Sequence, residues 1–234
     1  AVLVPTTLLT QQHHQTFIDR FADWPVTIEL LSRFRTKPQQ DEVIRKLSTG
    51  RVDIVIGTHK LLQGDIRFKR LGLLIIDEEH RFGVRHKEKI RKFKSSVDVL
   101  SMSATPIPRS MNLALSGIYS ISMLQTPPRL RLPIITQIEY YNDAIIREAI
   151  NFEVGRGGQV YFVHNDVLSI KNITHKLQGL FSKNIVRFIH GQESPKEIEK
   201  KMGDFVSGKT DILVCTSIIE SGIDVSSANC IIIN

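Results

Sequence analysis

Residues 71–80 constrain the fold of this chain more than any other stretch of its 234 residues. They read Leu-Gly-Leu-Leu-Ile-Ile and then, with no transition, Asp-Glu-Glu-His. An unbroken apolar run of this length predicts a parallel β-strand that is covered on both faces. Parallel sheets carry their functional groups just beyond the carboxyl ends of their strands, so Asp77, Glu78 and Glu79 are predicted to lie at a site.

The acids that follow this strand are of the type that nucleotide hydrolysis needs. Asp77 is the candidate ligand that holds Mg2+ through its water shell, and Glu78 is the candidate base that takes a proton from the attacking water. The alternative is a solvated acidic turn after a core strand, because a short motif of this kind also matches by chance.

Two further strand-like runs end in polar motifs. Residues 97–102 precede the motif at 103–105, and residues 211–215 precede the motif at 216–224. Together with residues 77–80, these segments resemble motifs II, III and V of superfamily 2 helicases, in the same order. The resemblance implies an α/β fold of two RecA-like parallel-sheet lobes in tandem, with ATP and Mg2+ as cofactors and double-stranded DNA as a partner.

The resemblance also assigns roles to individual residues. It implies catalysis by Glu78, Asp77 and His80, and nucleotide binding by Asp77, Glu78, Gly222 and Asp224. It implies that the hydroxyls of Ser103 and Thr105 hydrogen-bond His80 and so couple the nucleotide site to the DNA track. The implied DNA contacts are Pro5, Thr6, Thr7, Thr58, His59, His190, Gly191 and Thr216.

Structural alternatives compete with the DNA contacts in the first half of the chain. Residues 5–7 lie between a strand-like run and a helix predicted over 8–21, where backbone N–H and hydroxyl groups are able to bind a phosphate. A plain helix cap explains the same residues equally well. His59 follows a strand predicted over 52–56, and a lone histidine at such a position is more often structural.

Residues 125–133, Gln-Thr-Pro-Pro-Arg-Leu-Arg-Leu-Pro, have the composition of a linker. We therefore predict a first lobe over 1–125, a linker over 126–133 and a second lobe over 134–234, which opens with a strand at 134–140. Because motifs lie on both sides of the linker, the site is predicted to form between the lobes.

The chain begins and ends within strand-like runs, which predicts that both lobes are truncated. The phosphate loop of the family is expected upstream of Ala1, and its arginine-rich motif VI is expected downstream of Asn234. Because these two segments position and neutralise the terminal phosphates, the chain by itself is expected to be inactive as an ATPase.

Residues 203–210 match the phosphate-loop pattern, but their context argues against that function. A phosphate loop follows a strand and precedes a helix. Here a helix is predicted over 195–206, with Ser194 as its cap, and a strand follows from Asp211. Gly208 is therefore predicted to end the helix.

Composition agrees with a nucleic-acid partner and a reducing compartment. The formal net charge is +7 and the isoelectric point is about 9.5, which favours a polyanion. Cys215 and Cys230 lie in apolar runs and are predicted to be buried free thiols. No run approaches the roughly 20 apolar residues of a spanning helix, so no membrane association is predicted. The resemblance to the helicase family implies a bacterial cytoplasmic location.

Longer segments narrow the resemblance to one branch of the superfamily. Residues 81–84, Arg-Phe-Gly-Val, resemble an extension after motif II in the branch of transcription-repair coupling factors and RecG-type branch-migration helicases. Residues 4–9, 57–62 and 77–88 resemble the coupling factors. RecG-type enzymes usually have glutamate in place of Thr7 and glutamine in place of Glu79.

The resemblance implies an ATP-driven double-stranded DNA translocase that displaces stalled RNA polymerase and hands the lesion to excision-repair proteins. The surfaces that bind RNA polymerase and the repair proteins are expected outside these residues. The alternatives are a RecG-type branch-migration helicase and a nucleic-acid-binding remnant without ATPase activity.

Overall fold

The computed structural model describes residues 1–93, 96–104, 120–127, 133–217 and 222–234. The chain divides into two compact units, Ala1–Ile134 and Ile135–Asn234. Each unit is built on one parallel β-sheet. The predicted Thr105 lies outside the described residues.

The first unit alternates strands with helices along the chain. Its described strands are Val2–Leu3 (β1), Ile28–Leu31 (β2), Ile54–Gly57 (β3), Leu73–Asp77 (β4) and Asp98–Met102 (β5). Its described helices are Thr7–Arg20 (α1), Lys37–Thr49 (α2) and Val84–Phe93 (α3), with short 3-10 helices at His59–Leu62 and Glu79–Arg81. The strands pair in the order β2-β3-β1-β4-β5, all parallel.

The strand order places β1 beside β4, with Val2 opposite Ile75 and Leu3 opposite Ile76. From β1 the chain leaves through α1 toward β2, and from β4 it leaves through α3 toward β5 on the other side. Neighbouring strands whose connections diverge in this way form the switch point at which open α/β sheets bind their ligands. The carboxyl ends of β1 and β4 therefore flank the natural site of this unit.

The apolar run at residues 71–76 does form the parallel strand β4. One of its faces is buried, with Leu74 at 2% exposure and Ile76 at 0%, in a core that includes Leu3 and Leu31. The other face is covered less, because Leu73 is 45% exposed and Ile75 is half-buried. Within the described structure, the expectation that both faces are covered therefore holds in full for one face only.

The second unit repeats the alternation of strands and helices. Its described strands are Val160–Val163 (β6), Val186–Ile189 (β7), Ile212–Cys215 (β8) and Cys230–Ile233 (β9). Its described helices are Asp143–Gly155 (α4), Ile170–Leu180 (α5) and Pro195–Val206 (α6). The strands pair in the order β7-β8-β6-β9, again all parallel, around a core that includes Ile150, Phe162 and Val214.

The strand predicted over 134–140 is wrong. The structure has no strand in this segment, and Ile134, Ile135, Ile138 and Tyr140 are 85%, 94%, 90% and 97% exposed. Apolar alternation supplies the propensity for a strand, but a strand also needs a neighbouring backbone with which to pair. None of the described strands lies alongside this segment.

The rejection of a phosphate loop at 203–210 is confirmed. Helix α6 begins with a capping box between Ser194 and Glu197 and ends at Val206. Gly208 has a φ of 76°, the left-handed conformation that favours glycine after a helix, and β8 follows from Ile212. The order is helix, glycine, strand, so the chain leaves the glycine-rich turn through a strand and not through a helix.

Both cysteines are free thiols, as predicted. Cys215 is fully buried, and burial raises the pKa of its thiol to about 12, so it stays protonated. Cys230 is only half-buried, so the prediction of burial holds for one of the two. Among the helices that the structure describes, none has the length and apolarity to cross a bilayer.

Candidate functional site

The acidic motif forms a strained turn at the end of β4. Glu78 has φ 50° and ψ 50°, and it is the one non-glycine residue with a positive φ in the described ranges. Such a conformation costs on the order of 1–3 kcal/mol and is concentrated at functional sites. The backbone N–H of Arg81 donates to the carbonyl of Glu78 at 2.9 Å, which closes the turn. The turn leaves Glu78 only 5% exposed.

His80 lies against this buried carboxylate. Its Nδ1 is 3.1 Å from Glu78 Oε2, and both atoms are buried. Despite this distance, neither atom makes a hydrogen bond in the described structure, because the contact lacks hydrogen-bond geometry. A buried carboxylate oxygen that accepts no hydrogen bond from its surroundings retains the capacity to accept a proton, which suits a general base. The structure thus brings together the predicted pair Glu78 and His80.

Asp77 makes a contact that the sequence argument missed. His13, on helix α1, places its Nε2 2.9 Å from Asp77 Oδ2. The two side chains are 22% and 20% exposed. A carboxylate only accepts hydrogen bonds, so Nε2 carries the proton in this contact. The sequence holds no local signal for the pair, because its members are 64 positions apart and meet only when β1 lies beside β4.

The donors at this edge fit Mg2+ that binds together with a nucleotide. The described part of the chain contains no group of three or more His, Cys, Asp or Glu residues that could hold a metal ion. Mg2+ usually keeps several waters and uses one or two carboxylates in addition to substrate phosphates. Asp77, at the tip of β4 beside Glu78, would supply such a carboxylate.

The residue predicted to couple this site to DNA lies on the neighbouring strand. Met102, the last residue of β5, pairs with Asp77, so Ser103 follows at the same end of the sheet. Ser103 is exposed. Its hydrogen bond to His80, and the whole role of Thr105, stay predictions.

The loop after β1 begins helix α1. Thr6 is the N-cap, and its Oγ1 accepts a hydrogen bond from the backbone N–H of Leu9 at 3.3 Å. The helix-cap interpretation is therefore confirmed for Thr6. A hydroxyl that accepts in this way still has its own proton to donate, so the cap and a phosphate contact are compatible.

The loop after β2 adds a positive charge that the sequence argument also missed. Arg33 is exposed, and its Nε donates to Thr7 Oγ1 at 3.2 Å. Arg35 instead pairs with the buried carboxylate of Glu29, with its Nη2 3.6 Å from Glu29 Oε2. The other oxygen of Glu29 pairs with Lys46. A signal was available in the sequence, because two arginines, Arg33 and Arg35, follow closely after the apolar residues of β2.

The loop after β3 carries the predicted residues Thr58 and His59. Thr58 is buried, while His59 is exposed and stacks on His86 of α3 with ring centroids 5.1 Å apart. Partial burial, followed by the nearby His86 and Arg33, lowers the pKa of His59 below its ordinary value. His59 is therefore a neutral hydrogen-bonding group at neutral pH, and its stacking supports the structural alternative.

The carboxyl end of β7 carries the predicted residues His190 and Gly191. His190 is half-buried and stacks on Phe188 with ring centroids 5.8 Å apart, whereas Gly191 is exposed. Lys201 is held nearby by Glu193 and by the carbonyl of Phe188 at 3.0 Å.

The motif after β8 is anchored to the strands beside it. The backbone N–H of Thr216 donates to the carbonyl of Ile189 at 3.4 Å, and that of Ser217 donates to Asn165 Oδ1 at 2.7 Å. Sequence reasoning missed Asn165, a polar residue just past β6. Gly222 has a φ of 88°, and Asp224 is exposed.

Comparison with known proteins agrees with this architecture. The family model for the DEAD/DEAH box helicase matches residues 1–113, and the model for the helicase conserved C-terminal domain matches residues 141–234. The chain is 52% identical over its whole length to a transcription-repair-coupling factor of Escherichia coli (strain K12) and 49% identical to that of Bacillus subtilis (strain 168). It spans 20% of the length of each of these relatives.

A solved structure points the same way. The structure of RecG bound to a three-way DNA junction matches 98% of this chain and 31% of that chain, with a TM-score of 0.78 and 36% identity. The predicted fold of two RecA-like parallel-sheet α/β lobes in tandem is confirmed.

Proposed function

Because this chain belongs to the superfamily 2 helicases of the transcription-repair-coupling factor type, we propose that it is the motor segment of an ATP-dependent double-stranded DNA translocase. The observation that carries the proposal is the turn at the end of β4, where a strained and buried Glu78 follows Asp77. A structural acidic turn gains nothing from a left-handed glutamate, whereas a catalytic base gains a fixed position.

The residues at this edge divide the chemistry of hydrolysis. Asp77 would hold Mg2+ and Glu78 would take the proton of the attacking water, with His80 beside it. Mg2+, when bound with the nucleotide, neutralises charge on the terminal phosphates. Gly222 and Asp224 are proposed as further nucleotide-binding residues, and Ser103 and Thr105 are proposed to couple the site to DNA.

The DNA track is proposed to follow the carboxyl ends of the strands in both units. In the first unit it would use the predicted residues Pro5, Thr6, Thr7, Thr58 and His59. In the second it would use His190, Gly191 and Thr216. A net charge of +7 supports a polyanionic partner, and backbone-directed contacts of this kind bind without regard to sequence.

At the level of the whole protein, we propose that the motor displaces stalled RNA polymerase and couples transcription to excision repair. The 52% identity with a transcription-repair-coupling factor supports this reading. RNA polymerase and the repair proteins would bind outside these residues. A RecG-type branch-migration helicase is the second candidate, favoured by the match to the RecG structure.

The decisive experiment uses the full-length protein that contains this chain. We expect DNA-stimulated ATP hydrolysis and displacement of a triplex-forming strand from linear duplex. Glu78→Gln removes the base and keeps Asp77, so kcat should fall about 100- to 10,000-fold while DNA and ATP binding persist. ATP turnover in that variant above a tenth of wild type would refute the assignment of Glu78.

Glu79→Gln is the matched control for this experiment. It makes the same chemical change at the next position, and RecG-type enzymes usually have glutamine there, so turnover should stay within about twofold of wild type. Preferential unwinding of three-way junctions over movement along linear duplex would favour the RecG-type candidate.

A further inference from the structure

The contact between His13 and Asp77 joins two elements to which the sequence argument gave separate roles. Asp77 ends the strand that carries the acidic motif, and His13 stands on the helix that the proposed DNA loop begins. Along an α-helix the seven residue-to-residue steps from Thr6 to His13 span about 10 Å. One short helix therefore reaches from the loop after β1 to the carboxylate at the end of β4.

We propose that His13 is a positioning residue, which holds the Asp77 carboxylate in the orientation required to bind Mg2+ with the nucleotide. The inference rests on the proposed function. In metal sites, ligating carboxylates are themselves hydrogen-bonded by neighbouring groups that fix their orientation, and loss of such a group typically costs about 10- to 100-fold in metal affinity or activity.

The geometry suits a fixed support. The contact uses one oxygen of the carboxylate, Oδ2, at 2.9 Å from Nε2, and a carboxylate has a second oxygen with which to bind a metal or its water shell. Both side chains are mostly buried, so water competes weakly for the hydrogen bond.

The helix itself is held in place from its first turn. Leu8 and Leu9 are 7% and 1% exposed, and the Thr10 hydroxyl donates to the carbonyl of Thr6 at 2.7 Å. His13 is therefore presented to β4 by a packed element, as a positioning role requires.

The neighbouring histidine supplies a matched control. His14 is also half-buried on α1, but the groups around it are Arg35, Glu29 and the backbone of Ile28, on the side of β2. Substitution of His14 removes the same type of side chain from the same turn of the helix and leaves Asp77 untouched.

The test measures how Mg2+ supports binding of a fluorescent ATP analogue to the full-length protein, so it does not depend on turnover. For His13→Ala we expect the Mg2+ concentration at half-maximal binding to rise about tenfold. DNA affinity without nucleotide and the melting temperature should match those of wild type. His14→Ala should give the wild-type Mg2+ dependence.

His13→Gln separates positioning from packing. The side-chain amide of glutamine presents a donor where Nε2 lay, so we expect the Mg2+ requirement to return to within about threefold of wild type. A wild-type Mg2+ curve for His13→Ala would overturn the inference. So would equal shifts in His13→Ala, His13→Gln and His14→Ala, because they would indicate helix packing alone.

These outcomes are distinct from failure of the proposed function. If wild type binds the analogue and hydrolyses ATP but His13→Ala behaves identically, only the role of His13 fails. A wild-type protein without Mg2+-dependent nucleotide binding would overturn both.

Discussion

The two units use the same parallel-sheet plan but equip the carboxyl ends of their strands differently. In the first unit these ends carry contacts of ionisable side chains, which are His13 with Asp77, His80 with Glu78, and Arg33 with Thr7. In the second unit the contacts at the comparable ends of β6, β8 and β9 involve amide and hydroxyl groups together with His164: Asn165 with Ser217, His164 with Ser169, and Asn234 with His164. The carboxyl end of β7 carries an ion pair, between Lys201 and Glu193.

The backbone shows the same difference. The first unit forces an acid, Glu78, into the left-handed region, whereas the second places Gly222 there, where no side chain is strained. A parallel sheet thus fixes where a site lies, and the side chains at its edge decide the chemistry. The carboxyl edge of the first sheet (the first edge) carries two histidine–carboxylate contacts. The carboxyl edge of the second sheet (the second edge) also holds backbone in place, through the hydrogen bond from the Ser217 N–H to Asn165.

Among the differences between the two edges, we expect the largest effect on DNA affinity, from the arginine charge at the first edge. We expect Arg33→Ala in the full-length protein to weaken binding of duplex DNA about tenfold and to lower the salt slope of log K by about 1, because one phosphate contact is lost. Fluorescence anisotropy across a salt series measures both quantities.

Arg45→Ala is the control for this change, because Arg45 is an exposed arginine whose partner is Glu42 on the same helix. It should leave the salt slope unchanged. If Arg33→Ala also leaves the salt slope of log K unchanged, the proposed difference between the two edges is wrong. The arginine at the first edge would then make no contact with a DNA phosphate.

At the second edge we expect a smaller effect, on the free energy of unfolding. Asn165→Ala removes the acceptor of the Ser217 N–H and should lower the free energy of unfolding by about 1 kcal/mol. Urea denaturation of this chain, followed by circular dichroism, measures the change. Asn165→Asp keeps a side-chain oxygen acceptor and should recover most of the loss. Equal destabilisation by both variants would argue against the hydrogen bond.

The smallest expected effect is the pH dependence of the folding stability of the first unit. The pKa values of His59 and His14 are lowered, first by burial, so the unfolded chain binds protons more readily than the folded chain. Stability is therefore full above the ordinary histidine pKa of about 6.5 and falls as the pH drops through that value toward the folded pKa values.

The variant His59→Gln isolates one of these groups. Between pH 7.5 and 5.5 its urea midpoint should fall less than that of wild type. The control is His175→Gln, at an exposed histidine of α5, which should retain the wild-type dependence. A wild-type midpoint that rises on acidification would contradict the sign of the effect.

Much of the site follows from local sequence. The run at 71–76 predicted β4, the order of elements around Gly208 excluded a phosphate loop, and the acids at 77–79 marked the edge where the strained turn lies. Each inference depends on apolar pattern, glycine or helix capping, which act over a few neighbouring residues.

Other features followed from no local pattern. The sequence at 134–140 predicted a strand that finds no partner among the described strands. The stacking of His59 on His86 depends on how α3 packs against the loop after β3. In both cases the outcome was decided by which element lies alongside.

The sequence by itself determined the alternation of strands and helices, the acids at the tip of β4, and membership in a helicase family. Only the tertiary structure decided that His13 contacts Asp77 and that Arg33 contacts Thr7. The physical reason is strand order. Hydrophobic pattern and capping depend on neighbouring residues, whereas contacts between distant residues depend on which strands become neighbours in the sheet.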